Sequence, residues 1–514
     1  MTARDLVVIG GGIAGLVIAH DAARAGLRVE VLEASDRVGG MLRSAQLRGP
    51  DGPVIVDVGA ESFATRTSGV TDLIADAGLE LQQVAPTPGG AHLVALGDGG
   101  VLRAPLPKRT VLGIPADPHA ADVVRILGAA AADRVAAERD LPPRTGAEPS
   151  LADLVTERCG ETLTRLLVDP LCRSVYSQPA SASRLSRLHP ALWQQFQERG
   201  SLLDAAAAVA SAQRAGAAVA GIAGGVWRLA AAVAEAAQRH GAIIRTGVTV
   251  AEITSDAVGR QDAGGTAFGS DPVSGSGSDS VAGAGLRVRT VDGEGIAARQ
   301  VVVATGSAAA HSLLGAPGGT DGAAVTATAT ATSTTSTTTP AATPASRLRV
   351  IAALVHAPAL DAHPVGSGVI VAPDVPSAAK ALTHVTAKWP WFTAQQTLPA
   401  GHHVVRLSAR DADAPGLSTP ADIAAEIALL TGIPLTAHDI VATVDQVWPD
   451  AVARPPVDDG RRADLARAGI HVAGAAVAGT GLASVVPHAR ALAAELVSAL
   501  TGIPPVSVPS VPVS

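Results

Sequence analysis

Residues 6–15 read LVVIGGGIAG, and few folds accept that order of residues. Leu6 to Ile9 make a short apolar strand, after which Gly10, Gly12 and Gly15 fall in the G-x-G-x-x-G spacing, with Ile13 and Ala14 between them. The first glycine permits a tight turn, the second lets backbone approach a pyrophosphate, and the third lets the following helix pack closely on its strand. Leu16 to Ala25 continues as a helix stopped by Gly26, so its N-terminal N–H groups and positive dipole end face the phosphates. A second strand, Arg28 to Leu32, delivers Glu33 eighteen residues beyond Gly15, where a carboxylate can accept from both hydroxyls of an adenosine ribose. In a chain with 54 glycines the spacing alone says little, and an ordinary βαβ unit would also use glycines for packing. Strand, helix and acid at these distances together define a dinucleotide site. A glutamate there disfavours a 2′-phosphate.

The rest of the chain bounds the class of protein. At 514 residues, two or three subdomains are expected around separate cores. A hydrophobic fraction of 47% against 17% charged residues is globular. The net charge of −7 supplies no global field for nucleic acid or acidic lipid, so an anionic substrate needs a local basic pocket. Cys159 and Cys172 form no CxxC and no metal-ligand cluster; buried reduced thiols are expected. The apolar opening resembles a signal-peptide core, but its glycines break an apolar helix and no small-residue cleavage site follows. No transmembrane run is present. A cytoplasmic protein is expected, with membrane contact at most peripheral and no nucleic-acid partner.

Along the chain, Asp36-Arg37-Val38-Gly39-Gly40 forms a turn, Val54 to Val58 alternates as a strand, and Gly59-Ala60-Glu61-Ser62 turns tightly before a helix from Val70 to Ala77. A hairpin turns at Gly97 to Gly100, residues 120–215 read as mostly helical, and Gly224-Gly225 precedes a helix from Val226 to His240. Strands Ala242–Arg245, Gly247–Val250 and Val301–Ala304 follow. Residues 347–447 carry further strand runs and one helix, for which a mixed sheet with a single covering helix is the simplest arrangement. The stretches 256–285 and 316–346, and the tail 506–514, are low in complexity and receive no structure or function. GIHVAGAAVAGTGLASVVPHARALAAELVSAL closes the chain with a strand, a glycine-rich turn and a long helix aimed at the cofactor.

The R-x-G-G element at 37–40 resembles that of glutathione-reductase-like flavoproteins, which favours FAD over NAD(P). GGGIAGL…EASDRVGG, GAESF, LPKRTVLGIPADP, DPLCRSVY, GGVWRL, THVTAKWPW and AGAAVAGTGLASVVPHARA together resemble the FAD-dependent protoporphyrinogen/coproporphyrinogen oxidases, most closely the actinobacterial coproporphyrinogen III oxidases. The resemblance implies an α/β fold: a discontinuous FAD/NAD(P)-binding Rossmann-like (glutathione-reductase-like) domain from 1–80, 221–310 and 448–505, a mixed-sheet substrate domain from 81–119 and 311–447, and a helical lobe inserted at 120–220. It implies a flavin that removes hydrogens from a reduced tetrapyrrole, with O2 as acceptor and transient contact with the next haem-pathway enzyme. The protein then positions a methylene bridge at the flavin and needs no metal and no catalytic side chain. Carried over position by position, the FAD contacts are Gly10, Gly12, Ile13, Ala14, Gly15, Glu33, Ala34, Arg37, Gly39, Gly40, Gly59, Ala60, Glu61, Ser62, Val248 (through its backbone to adenine), Ala475, Thr480, Gly481 and Leu482. Trp448 is either near the flavin or a core aromatic. Propionates call for guanidinium or ammonium groups, and Arg66, Arg103, Lys108 and Lys388 are the candidates. Ser174 is a departure, standing where the family has glycine beside the macrocycle; Arg454 and Pro455 stand where it has a Pro-Gln-Tyr.

Two other readings share the opening motif. A flavin amine oxidase or desaturase is opposed by Ala473-Gly474-Ala475, which lacks the acid of an A-G-E turn, and by the absence of Phe, Trp and Tyr from 455–514. A non-catalytic tetrapyrrole carrier is consistent with Ser174 and the low-complexity insertions.

Overall fold

Residues 3–97, 99–175, 178–212, 219–255, 285–315, 347–409, 416–449, 451 and 457–503 are described by a computed structural model of the chain. The low-complexity stretches (Gly285 apart), Arg454, Pro455 and the tail lie outside them.

The first sheet grows from Arg4–Ile9, which pairs in parallel with Val29–Leu32 on one side and Gly295–Val303 on the other. Ile243–Arg245 and Ile470–Val472 extend it, both parallel. Leu286–Thr290 and Val250–Ser255 add an antiparallel wing. The opening strand is apolar without alternation because helices cover both faces. Leu6 and Val8 pack under the helices Ile13–Arg24, Arg228–Arg239 and Leu482–Thr501. Val7 and Ile9 pack toward Ser307–Leu314 and Asp459–Arg467. The first helix starts at Ile13 rather than Leu16, since Gly12 is its extended cap residue at φ −70°, ψ 172°.

The second sheet has seven strands in the order Ile440–Trp448, Leu348–His356, His402–Ala409, Ala379–His384, Gly368–Val371, His92–Gly97 and Gly100–Pro105. Gly368–Val371 and His92–Gly97 run parallel, which makes the sheet mixed. A single covering helix does not suffice here. Strand Leu348–His356 is buried continuously from Val350 to Val355, so both faces need a cover. Helices within 121–212, with Pro420–Thr431, cover the face carrying Ile351, Ala353 and Val405. A hairpin of Ser44–Gly49 and Gly52–Asp57, with Trp389 and Phe392, covers the face carrying Ala352, Leu354 and Val404.

The helical segment is organised around a buried charge pair. Glu138, fully buried, accepts from Arg158 Nε at 2.5 Å, Ser201 Oγ at 2.5 Å and the Leu202 amide at 2.9 Å. It thereby caps the helix Leu202–Ala212 from a distant part of the chain. Cys159 and Cys172 are buried and unpaired, and burial pushes both thiols up to about 12, which makes them unreactive.

The closing helix Leu482–Thr501 contains Pro487, whose missing N–H leaves the Ala483 carbonyl without its helical donor. Thr67 Oγ1 donates to that carbonyl at 3.0 Å, and the Pro487 ring fills the space beside Gly69. We expect Thr67→Val, which deletes the donor and keeps the shape, to lower stability by about 1 kcal/mol in a urea titration. An unchanged midpoint would show that solvent satisfies this carbonyl equally well.

Candidate functional site

The three glycines do different work. Gly10 has φ +107°, and a Cβ there would stand 2.7 Å from the Ala304 carbonyl oxygen. A Cβ on Gly15 would lie 2.1 Å from the Gly10 carbonyl oxygen, so the helix can approach its strand only without one. Gly12 has nothing within 4 Å of a Cβ, which leaves its outer side open to a diphosphate. Glu33 is already oriented: Oε2 accepts from the Gly11 amide at 2.6 Å, and Oε1 from the Ser35 amide and hydroxyl at 2.9 and 2.6 Å. Of the roughly four acceptor positions of a carboxylate, the one left on Oε2 can take a ribose hydroxyl. Ala34 is exposed beside it. The Val248 amide donates to the Glu33 carbonyl at 2.8 Å, which occupies that amide.

The R-x-G-G turn docks on this loop. The Gly39 amide donates to the Gly11 carbonyl at 2.7 Å, Gly12 bridges Gly39, and Gly40 lies against the Gly12 α-carbon. Arg37 holds the turn by donating to the Val38 and Gly40 carbonyls at 3.0 and 2.9 Å. The chain then passes through Met41, whose carbonyl accepts from the Ala60 amide at 3.2 Å and leaves no room for a side chain at Gly59. Trp448 is buried behind this second turn and donates to the Val58 carbonyl at 2.9 Å.

Glu61, next in the turn with Ser62 beside it, ties the turn to the second sheet through Arg406. Lys388 Nζ stands 2.5 Å from Oε1, and Arg406 Nη1 stands 2.9 Å from Oε2. The second contact is out of line for a hydrogen bond, so the Arg406 pair is Coulombic, and Arg406 Nε and Nη1 have no hydrogen-bond partner although they are buried. Arg406 Nη2 donates to the Gly59 carbonyl at 2.7 Å. Burial opposes ionisation of Glu61, but Lys388 and Arg406 outweigh it and hold the carboxyl down at about 2. A depressed carboxyl stabilises the fold fully above its unfolded value near 4.5 and loses that contribution as pH falls through about 2. Relative to Glu61→Gln, the wild-type protein should therefore be more stable by about 3 kcal/mol at pH 7, with the gap closing between about pH 5 and pH 2 in acid titrations. A gap that is constant with pH would contradict this pairing.

Asp57 lies close by and accepts from the Val226 and Trp227 amides at 2.9 Å each, capping the helix Arg228–Arg239. Burial raises its carboxyl to about 7 against those bonds and the Arg406 charge. At the same end of the sheet as the glycine loop, Gly474 packs on Ala14, and Ala475 and Leu482 share the core cluster of Ala14; Gly481, after Thr480, caps the closing helix.

The cationic candidates do not meet at one point. Arg66 is exposed and donates to Ser484 Oγ at 2.9 Å, in the first turn of the closing helix. Arg103 donates to the Leu429 carbonyl at 2.6 Å, at the C-terminal end of the helix Pro420–Thr431. Lys108 is exposed, its backbone held by Asp122. Lys388 is engaged with Glu61 and lies 5.0 Å over the Trp389 ring. Ser174 donates to the Lys380 carbonyl at 3.2 Å, and Lys380 Nζ donates to the Arg173 carbonyl at 3.1 Å. Burial lowers the Lys380 ammonium to about 8. Asp57, Lys380 and Arg406 were not singled out by the sequence argument. The signal for the last was a lone arginine inside HHVVRLSA, a strand buried without interruption from His403 to Leu407.

A doubly covered parallel sheet with this glycine loop and ordered Glu33 defines a dinucleotide-dependent oxidoreductase fold. The sequence pattern of the flavin containing amine oxidoreductases matches residues 13–339, and the chain belongs to that family, whose members bind FAD. The Gly12 opening, the Glu33 carboxylate and the buried Arg406 Nε, which has no hydrogen-bond partner, fit that cofactor. Over 197 residues the chain is 34% identical to coproporphyrinogen III oxidase of Mycobacterium tuberculosis (strain ATCC 25618 / H37Rv), covering 37% of this chain and 41% of that protein. It is 29% identical over 204 residues to the chloroplastic protoporphyrinogen oxidase 1 of Arabidopsis thaliana, covering 39% of this chain and 35% of that one. Matches thus span about two fifths of these relatives' length. A solved structure of a candidate protoporphyrinogen oxidase from Exiguobacterium sp. 255-15 superposes with TM-score 0.70 at 21% identity, over 97% of this chain and 99% of that one. Cyclohexylamine oxidase from Brevibacterium oxydans IH-35A follows at TM-score 0.56 and 16% identity, over 97% and 100%. These two show a shared fold. Among the described residues no helix is long and apolar enough to cross a membrane, and no cluster of His, Cys, Asp and Glu could hold a metal.

Proposed function

We propose that the protein is an FAD-dependent porphyrinogen oxidase acting on coproporphyrinogen III, with O2 as acceptor and H2O2 as by-product. The observation that carries this reading is the 34% identity to coproporphyrinogen III oxidases, joined to a cradle whose open Gly12 face and ordered Glu33 suit FAD. When bound, FAD supplies two-electron acceptance from a methylene-bridged macrocycle, and three rounds give the aromatic product. The chain's own residues bind and orient. Gly10, Gly12, Gly15, Gly39 and Gly40 admit the diphosphate, Glu33 takes the ribose, and the helix from Ile13 directs its N–H groups at the phosphates. Arg66, exposed beside the first turn of the closing helix, is the cation we assign to the substrate carboxylates. Arg103 serves its helix terminus instead, and Lys388 serves Glu61. Ser174 ties the helix Asp169–Val175 to strand Ala379–His384.

The test is direct. Purified protein loaded with FAD should turn colourless coproporphyrinogen III into fluorescent coproporphyrin III and release peroxide. Arg66→Ala should raise KM more for the four-propionate substrate than for protoporphyrinogen IX, which has two. Binding without turnover would make the protein a carrier, and turnover of primary amines alone would make it an amine oxidase.

A further inference from the structure

Two cations face a single carboxylate in the group Lys388, Arg406 and Glu61, which leaves an excess positive charge in a largely buried place. Its position along the cofactor path follows from contacts already described. Glu33 marks the ribose and Gly12 the diphosphate. Gly12 bridges Gly39, the chain continues to Met41, and the Met41 carbonyl meets the turn that carries Glu61. An extended FAD running from Glu33 past Gly12 therefore directs its ring system toward Glu61. Arg406 reaches the same turn through the Gly59 carbonyl and keeps its buried Nε without a hydrogen-bond partner.

We propose that Lys388 and Arg406 set the reduction potential of the bound flavin, and that Glu61 is the positioning residue that holds both cations and moderates their field. A ring that takes up two electrons and one proton gains a negative charge. Fixed positive charge in a site of low dielectric favours that state without any proton transfer from the protein. Neither cation needs to touch the substrate. Asp57 offsets the excess only in part at neutral pH, because burial raises its carboxyl. The inference rests on the FAD reading and adds a function to residues which that reading leaves as an ion pair.

Charge counting gives the signs of the test. Lys388→Met and Arg406→Gln each remove a cation and should lower the midpoint potential of the bound flavin. Glu61→Gln removes the anion and should raise it. Lys388→Arg keeps the charge and should restore the wild-type value. A group that merely braced the turn against the sheet would shift the cation and anion variants in the same direction, or not at all, because each loosens the same contact. The measurement is anaerobic dye equilibration on FAD-loaded protein at pH 7, with flavin content and FAD affinity determined first. Shifts of opposite sign support the proposal; shifts of one sign, or none, overturn it. Either cation variant, set beside Glu61→Gln, suffices if the other does not fold. Failure of the wild-type protein to take up FAD is a separate result, and it overturns the cofactor reading instead.

Discussion

Gly15→Ala is expected to emerge from purification without flavin and with stability lowered by more than about 3 kcal/mol, whereas Gly12→Ala should fold as the wild type does and still fail to hold FAD tightly. The two glycines are three residues apart, and their surroundings are opposite. A methyl on Gly15 would sit 2.1 Å from the Gly10 carbonyl oxygen, so the helix must be pushed off its strand and the turn opened. A methyl on Gly12 meets no protein atom within 4 Å, and the extended conformation there suits alanine. Its effect on the apoprotein should stay within about 0.5 kcal/mol. The same methyl stands where diphosphate oxygens approach, and a loss of at least about tenfold in FAD affinity follows, about 1.4 kcal/mol. Flavin absorbance ratios, fluorescence quenching and melting of the apoproteins separate the two cases. A Gly12→Ala protein binding FAD as tightly as the wild type would remove the diphosphate from this loop.

Glu138→Ala should unfold or loosen the helical segment, costing about 3–5 kcal/mol, because it leaves the Arg158 charge buried and uncompensated. Arg158 is 3% exposed and also donates to the Gly200 and Pro142 carbonyls at 2.7 and 3.1 Å. Its guanidinium lies 5.2 Å from the Phe196 ring centroid. Loss of Glu138 also uncaps Ser201, Leu202 and the helix they begin. Glu138→Gln, which keeps the shape, should lose less. Adding Arg158→Met to Glu138→Ala should recover much of the deficit, since the pair is far more damaging half broken than absent. FAD affinity should change little, for the cradle belongs to the other sheet. Denaturant titration checks the first statement; a single-variant loss below about 1 kcal/mol would mean that water reaches Arg158.

The opening βαβ unit was legible because each of its requirements is local. A turn with φ +107°, a helix that touches its strand and an acid at the end of the next strand all leave a residue-by-residue trace. The hairpin at Gly97 to Gly100, the helix after Gly225 and the closing strand–turn–helix were readable on the same grounds. The second sheet showed its strands but not its covers, since a continuously apolar strand says that both faces are buried and not by what.

What the amino-acid order determined alone, then, is the dinucleotide cradle and the class of cofactor it can grip. Tertiary structure alone decided which charges meet: Asp57 caps a helix begun at residue 228, Glu61 lies between Lys388 and Arg406, and Thr67 satisfies the carbonyl left over by Pro487. The reason is physical. Backbone geometry is encoded over a few neighbouring residues, whereas a buried charge is stable only against a partner that the fold brings from hundreds of residues away, and no spacing in the chain announces that partner.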